Sequence, residues 1–155
     1  QTRFTYAYGK IVVWSPKPNI PNIRGLLSSS DNMSQHIAIA NSRLSPYGLA
    51  ASQIINNLNL SDHLSEKLVK GENISQTFQW VHSGNAELGF VAYSQINNPR
   101  RASQGSYWMP PQSLYSPIDQ QAVLLKDNEA ARDFMSFIKS SDARKVIQLH
   151  GYDLP

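Results

Sequence analysis

Ser45, Pro46, Tyr47 and Gly48 stand between a short apolar run at residues 36–40 and a segment with helical periodicity. In that position Ser45 reads as an N-cap and Pro46 as the first helical residue. The amides of Tyr47 and Gly48 then have no carbonyl one turn back inside the helix. Such amides, with the positive end of the helix dipole, bind anions. Gly48 also removes a side chain where a ligand would approach the backbone. Asn73, Ile74 and Ser75 repeat the arrangement, with Asn73 as cap and Gln76 three residues on. Each dipole contributes about 0.3–1 kcal/mol, and each hydrogen bond to a charged acceptor about 1.5–3 kcal/mol, so the hydrogen bonds would dominate. Arg43 and Lys70 are the cations near these segments in sequence. A pocket so poor in charge selects an anion by size and geometry. The same residues also form an ordinary capping sequence, and at this level both readings stand.

For those amides to converge, both helices must start at one edge of one sheet. Residues 9–15, GKIVVWS, read as a buried strand closed by Pro16, Pro18 and Pro21. Residues 25–34 are polar and suggest a short helix and a loop, and residues 36–40 are a second strand. The following helix places Ala50 or Ala51, Ile54, Ile55 and Leu58 on one face and ends over residues 57–60. A brief helical segment at 62–64 leads to a weak strand at 67–69. The helix capped by Asn73 carries Ile74, Phe78 and Val81 on its apolar face, with Gly84 at its C-terminal end. LGFVAY, residues 88–93, is the next buried strand. A loop rich in Gly, Pro, Arg and Ser spans 97–107, residues 107–109 are extended, and 110–117 are broken by prolines. A strand at 122–125 precedes a helix capped by Asp127 or Asn128, with Ala131, Phe134 and Ile138 on one side. A last helix, 141–150, stops at Gly151. Strands alternating with helices predict an α/β open sheet with parallel pairing, helices on both faces, and a ligand at the carboxyl ends of the strands. The two C-terminal helices each carry an apolar stripe for which the chain supplies few partners. The chain therefore reads as part of something larger.

Composition narrows the function. The 155 residues, 41% hydrophobic and 16% charged, suit one globular domain that buries roughly 70% of its unfolded surface. No apolar run approaches the ~20 residues of a membrane-spanning helix, and residues 1–10 lack the pattern of a signal peptide. A net charge of +3 from scattered Lys and Arg argues against nucleic-acid binding. The absence of Cys excludes disulfides, thiolate catalysis and Cys-based zinc sites. His36, His63, His82 and His150 have no metal-ligand spacing, and Asp62 beside His63 cannot share a site with it on a helix. Glu66, Glu72 and Glu87 read as solvated rather than as a catalytic pair, and no nucleophile elbow or phosphate-binding Gly-rich loop occurs. Trp14, Trp80 and Trp108 read as core or rim aromatics. The residues favour a binding module over an enzyme.

GKIVVWSPKP, IAIANSRLSPYGLAA, GENISQTFQWVHSGNAELGFVAYSQI, SYWMPPQSLYSPIDQQAVLL and ARDFMSFIKSSDARKVIQLHGY, in that order, resemble the periplasmic molybdate-binding proteins of ABC importers, within the type II periplasmic binding proteins. The resemblance covers nearly the whole chain. It implies two α/β lobes that close by a hinge on an oxyanion held by backbone amides and hydroxyls without counter-charge. Tyr47 matches the position after the helix-starting Pro, where the amide binds the anion and a Tyr side chain also lies at the site. Ile74 matches the Val or Ile whose amide is a donor at the second helix start. Some members carry a Tyr just after the strand segment G-[IF]-V, here GFV at residues 89–91. That position here is Ala92, with Tyr93 one residue on.

The resemblance further implies that residues 10–116 form the second lobe with part of the anion site. Residues 1–9 and 117–155 are then hinge crossovers and C-terminal helices of a first lobe whose N-terminal part is missing, with crossover strands at 9–13 and 121–125. The implied role is capture of molybdate or tungstate in the periplasm for a membrane permease, with no cofactor and no catalysis. The apolar face left open should promote self-association. Two other readings share the architecture: a binding protein for another tetrahedral oxyanion, sulfate or phosphate, and the effector domain of a transcription regulator.

Overall fold

The computed structural model describes residues 2–29, 36–100 and 105–155, and the expectations for 30–34 and 101–104 lie outside them. The first strand, β1 (Phe4–Gly9), is one that hydropathy does not mark. Lys10 then leads into β2 (Ile11–Ser15), every residue of which is buried. Along β2 the side chains alternate: Ile11 and Val13 enter one apolar cluster, Val12 and Trp14 the other. α1 (Ile23–Ser28) follows, capped by Asn22 Oδ1, which accepts from the Gly25 amide at 2.9 Å. Next come β3 (Ile37–Ala40), α2 (Pro46–Asn57), α3 (Ser61–Leu64), β4 (Leu68–Gly71), α4 (Ile74–His82), β5 (Leu88–Ala92) and α5 (Tyr93–Ile96). β6 (Ser106–Trp108), a 3-10 turn at Gln112–Leu114, β7 (Ile118–Ala122), α6 (Glu129–Ile138) and α7 (Ser141–Leu149) complete the order.

Five strands form one open sheet in the order β4-β3-β5-β2-β6. β3 runs parallel to β4 and β5, as the alternation of strands and helices predicts. β2 does not. It pairs antiparallel with β5, Ile11 opposite Ala92, and with β6 on its other side. The chain enters β2 at the carboxyl edge of β5, so β2 can only run back across the sheet. One face packs against α1 and α2 through Ile37, Ile39, Ile54, Ile55, Leu27 and Phe90. The other packs against α4 through Ala38, Val91 and Val81. Trp14 stacks on Phe78 at 5.2 Å between ring centroids, and His82 meets both rings edge-on. His82 is thus part of an aromatic cluster.

β1 and β7 form a separate antiparallel ribbon from Phe4 opposite Ala122 to Gly9 opposite Ile118, with a bulge between Thr5 and Ala7. This moves the expected strand at 122–125. Val123 and Leu125 have no strand to pair with and stay exposed, while Asp119, Gln120 and Gln121 pair through their backbones although their side chains are polar. The expectation that strand residues extend to Tyr93 is also corrected, because Tyr93 begins α5. α6 buries none of its residues and α7 buries Ala143 alone.

Candidate functional site

In the parallel part of the sheet Ala40, the last residue of β3, lies opposite Gly71, the last of β4. The helices that follow β3, β4 and β5 therefore all start at one edge. Asn41 organises the first start. Its amide donates to the Gly71 carbonyl at 2.7 Å, and its own carbonyl accepts from Leu44 and Ser45 at 3.1 and 2.9 Å. Asn41 Oδ1 accepts from the Arg43 amide at 3.0 Å. This turn delivers a buried Ser45 to the N-cap of α2, where its Oγ accepts from Gly48 at 3.4 Å and its carbonyl from Leu49 at 3.0 Å. Pro46 has no amide proton. Tyr47 is therefore the first amide of the helix, and it has no intrahelical acceptor. A Cβ at Gly48 would lie 2.3 Å from the Ala40 carbonyl oxygen and 2.7 Å from that of Asn41. The missing side chain thus lets the first turn of α2 lie directly on the end of β3.

At the second start Asn73 caps α4 as expected, its Oδ1 accepting from Gln76 at 2.9 Å. Gln76 does not close a capping box on Asn73; its Oε1 accepts from the Glu72 amide, one residue earlier, at 2.8 Å. The fully buried Thr77 donates its hydroxyl to the Asn73 carbonyl at 2.9 Å and packs closely against Gly71, where a Cβ would sit 2.8 Å from Thr77 Oγ1. Ile74, the first residue of α4, presents its amide in this turn. Gln95, which sequence reasoning passed over, joins the second and third starts. Its Oε1 accepts from Ala92 at 2.9 Å, and its Nε2 donates to the Ile74 carbonyl at 3.1 Å. The signal was a Gln at the third position of a helix, but VAYSQI does not read as a helix start without the fold.

Tyr93 comes to the same edge by a different route. Its amide donates to the Lys10 carbonyl at 2.8 Å, and its ring lies 5.6 Å from that of Tyr107. Burial, then hydrogen bonding to Tyr107, pushes its phenol up. Tyr47 sends its side chain from α2 to the junction of β1 and β2, where a Cβ at Gly9 would stand 2.5 Å from Tyr47 Oη. Burial pushes the Tyr47 phenol far up, helped by Tyr152 and more weakly by Tyr115 and Tyr6. Lys10 is a cation at this edge that the spacing of charges in sequence did not reveal. Its Nζ lies 2.7 Å from Asp153 Oδ1, so its charge is matched locally. Among the described residues no three His, Cys, Asp or Glu gather as a metal site.

The elevated Tyr47 phenol has a consequence for stability. The unfolded chain ionises this tyrosine near pH 10, whereas the folded chain keeps the proton to higher pH. Above about pH 10 the unfolded state therefore binds fewer protons, and stability falls as pH rises. Urea denaturation of Tyr47→Phe across this range should show a shallower alkaline loss than the unsubstituted chain. An identical slope would contradict the assignment.

The arrangement brings Ser45, Tyr47, Gly48, Ile74 and Tyr93 to one edge of one sheet and offers first-turn amides there. The chain matches the model of the bacterial extracellular solute-binding proteins over residues 1–153. It is 44% identical over 156 residues to the molybdate-binding protein ModA of Azotobacter vinelandii, covering 99% of this chain and 62% of that protein. With ModA of Rhodobacter capsulatus the identity is 42% over 152 residues, or 96% of this chain and 58% of that protein. The fold superposes on the solved periplasmic molybdate-binding protein of Azotobacter vinelandii with a TM-score of 0.90 and 42% identity, covering 99% of this chain and 68% of that one. The chain thus spans about three fifths of the length of the two ModA relatives. By sequence and by fold, it belongs to the bacterial extracellular solute-binding protein family.

Proposed function

We propose that this sheet edge is one half of an oxyanion clamp and that the protein captures molybdate, or tungstate, for a membrane permease of an ABC importer. The observation that carries the reading is the placement of the α2 and α4 starts side by side, with the Tyr47 and Ile74 amides in their first turns. Ser45 and Gly48 shape the first start, and Tyr93 borders the third. In this reading residues 10–116 are one lobe, and residues 1–9 and 117–155 belong to the crossovers and the other lobe. The β1–β7 ribbon is the hinge region, not the strands at 9–13 and 121–125. The two ModA relatives, named as molybdate-binding proteins, support the choice of anion. The protein works in the periplasm, performs no catalysis, needs no cofactor and binds no nucleic acid.

Uncharged donors suit this task. A dianion enclosed by amides is held by several charge-assisted hydrogen bonds of about 1.5–3 kcal/mol each, and its size decides how many form at once. With half of the donors, water competes at the open side and each bond counts for less. Isothermal titration of the full-length mature protein and of this chain with molybdate, tungstate, sulfate and phosphate tests the reading. Tight binding of molybdate and tungstate by the full-length form, with weak or no binding by this chain, is expected. A full-length protein that ignores molybdate, or prefers sulfate or phosphate, would remove the assignment.

A further inference from the structure

Ile74 stands between two peptide groups, and each is held by a side chain. The first group carries the Ile74 amide on one side and the Asn73 carbonyl on the other. That carbonyl accepts from the Thr77 amide at 3.1 Å and from Thr77 Oγ1 at 2.9 Å, so the direction of the Ile74 N–H follows from bonds made behind it. The second group carries the Ile74 carbonyl, which accepts from Gln95 Nε2 at 3.1 Å. The Thr77 bonds lie within α4 and set the shape of its first turn. Gln95 comes from α5, 21 residues along the chain, and sets where that turn stands. Its own mount is firm. Gln95 Oε1 accepts at 2.9 Å from the amide of Ala92, the last residue of β5, and the Tyr93 amide is tied to the Lys10 carbonyl at 2.8 Å. The next residue, Ile96, is buried in the cluster of Val12 and Val91.

The sheet itself does not make this link. β4 and β5 lie on opposite sides of β3, so no strand pairing joins the end of β4, from which α4 starts, to the end of β5, from which α5 starts. The bridge needs an acceptor for the Ala92 amide and a donor for the Ile74 carbonyl on one arm. A glutamine amide supplies both without charge, whereas an ionised glutamate keeps the acceptor and loses the donor. We propose that Gln95 is a positioning residue of the anion site, tying the first turn of α4 to the end of β5 and so fixing where the Ile74 amide points. This inference rests on reading that edge as an anion site. In a pocket with little charge, affinity depends on donors that stand at the right separation, and Gln95 sets one of those separations from outside the helix.

The test uses the full-length mature protein, molybdate titration calorimetry, the amide NMR spectrum of the unliganded form, and the variants Gln95→Met and Gln95→Glu. Methionine has a similar length and no charge, and it loses both bonds. Glutamate keeps the bond to Ala92, so a fold that needs only this cap survives, and it loses the bond to Ile74. Gln95→Met should weaken molybdate binding about fivefold, the scale of one net hydrogen bond. It should also shift the Ile74 amide signal and leave that of Tyr47 in place. Gln95→Glu should bind at least as weakly, although α5 keeps its cap. Unchanged affinity in Gln95→Met, parental affinity in Gln95→Glu, or an unmoved Ile74 signal would each overturn this role while molybdate binding by the unsubstituted protein stands. An unsubstituted protein silent toward molybdate would overturn the anion reading, and this role with it.

Discussion

Gly48→Ala is expected to destabilise the fold by about 2 kcal/mol and, under the proposed function, to weaken anion capture at least tenfold. Two effects oppose each other at this position. Alanine is favoured over glycine within a helix by up to about 1 kcal/mol. Its Cβ, however, would lie 2.3 Å from the Ala40 carbonyl oxygen and 2.7 Å from that of Asn41. Both are backbone atoms at the end of a buried strand and cannot swing aside as a flexible side chain would. Overpacking of this kind costs about 1–3 kcal/mol, so the clash outweighs the propensity. Relief comes by lifting the first turn of α2 off β3, and that turn carries the Tyr47 amide. Losing one hydrogen bond to a charged acceptor, about 1.5–3 kcal/mol, corresponds to a tenfold loss or more. Urea denaturation and molybdate titration of the full-length variant check the two halves of the expectation. Stability at or above that of the parent would show that the strand end yields more easily than its hydrogen bonds to Gly71 and Ser45 imply.

The second large effect concerns assembly of the 155-residue chain on its own. Phe134 is 61% exposed and Phe137 55%, and with Ile138, Ala143, Val146 and Ile147 they line an apolar hollow of about 420 Å³ against Tyr6. An exposed apolar face of this kind drives association, at roughly 25 cal/mol for each Å² removed from water. The isolated chain is therefore expected to self-associate as concentration rises, and Phe134→Glu combined with Phe137→Glu to return it to a monomer. The substitutions should cost little stability because neither ring is buried. Sedimentation velocity over a range of concentrations checks both statements, and a parent chain monomeric throughout would refute the expectation. In the proposed two-lobe reading the rest of the first lobe covers this face, so the same pair of substitutions should harm the full-length protein instead.

What could be read from the sequence was local. Ser45 and Asn73 were legible as caps, and the third cap narrowed to Asp127 or Asn128, because capping depends on residues within one turn; the structure places Ser45, Asn73 and Asn128 at N-caps. Periodicity pointed to Ala50 or Ala51, Ile54, Ile55 and Leu58 as the apolar face of α2; the helix buries both alanines and both isoleucines, while Leu58 is its C-cap and only partly buried. β1 and β7 were not legible in the same way. Their residues are half exposed, and backbone pairing between distant segments holds them, which leaves little trace in hydropathy. The site shows the same division. Tyr47 and Ile74 could be singled out from their neighbours in sequence. Gln95 bridging to Ile74 and Lys10 matched by Asp153 depend on contacts that only the fold creates.

The β1–β7 ribbon also bears on the order in which the molecule assembles. Just beyond its end Thr2 exchanges hydrogen bonds with Leu124, across 122 residues of chain. Closing a loop of that length costs conformational entropy before any contact compensates it, while the strands of the main sheet can nucleate on shorter separations. The ribbon is therefore the late step in folding, completed after the five-stranded sheet has brought its ends together. Apart from Ala7, Gly9 and Ile118 its strand residues are only partly buried or exposed, so it is also an early place for the native chain to open.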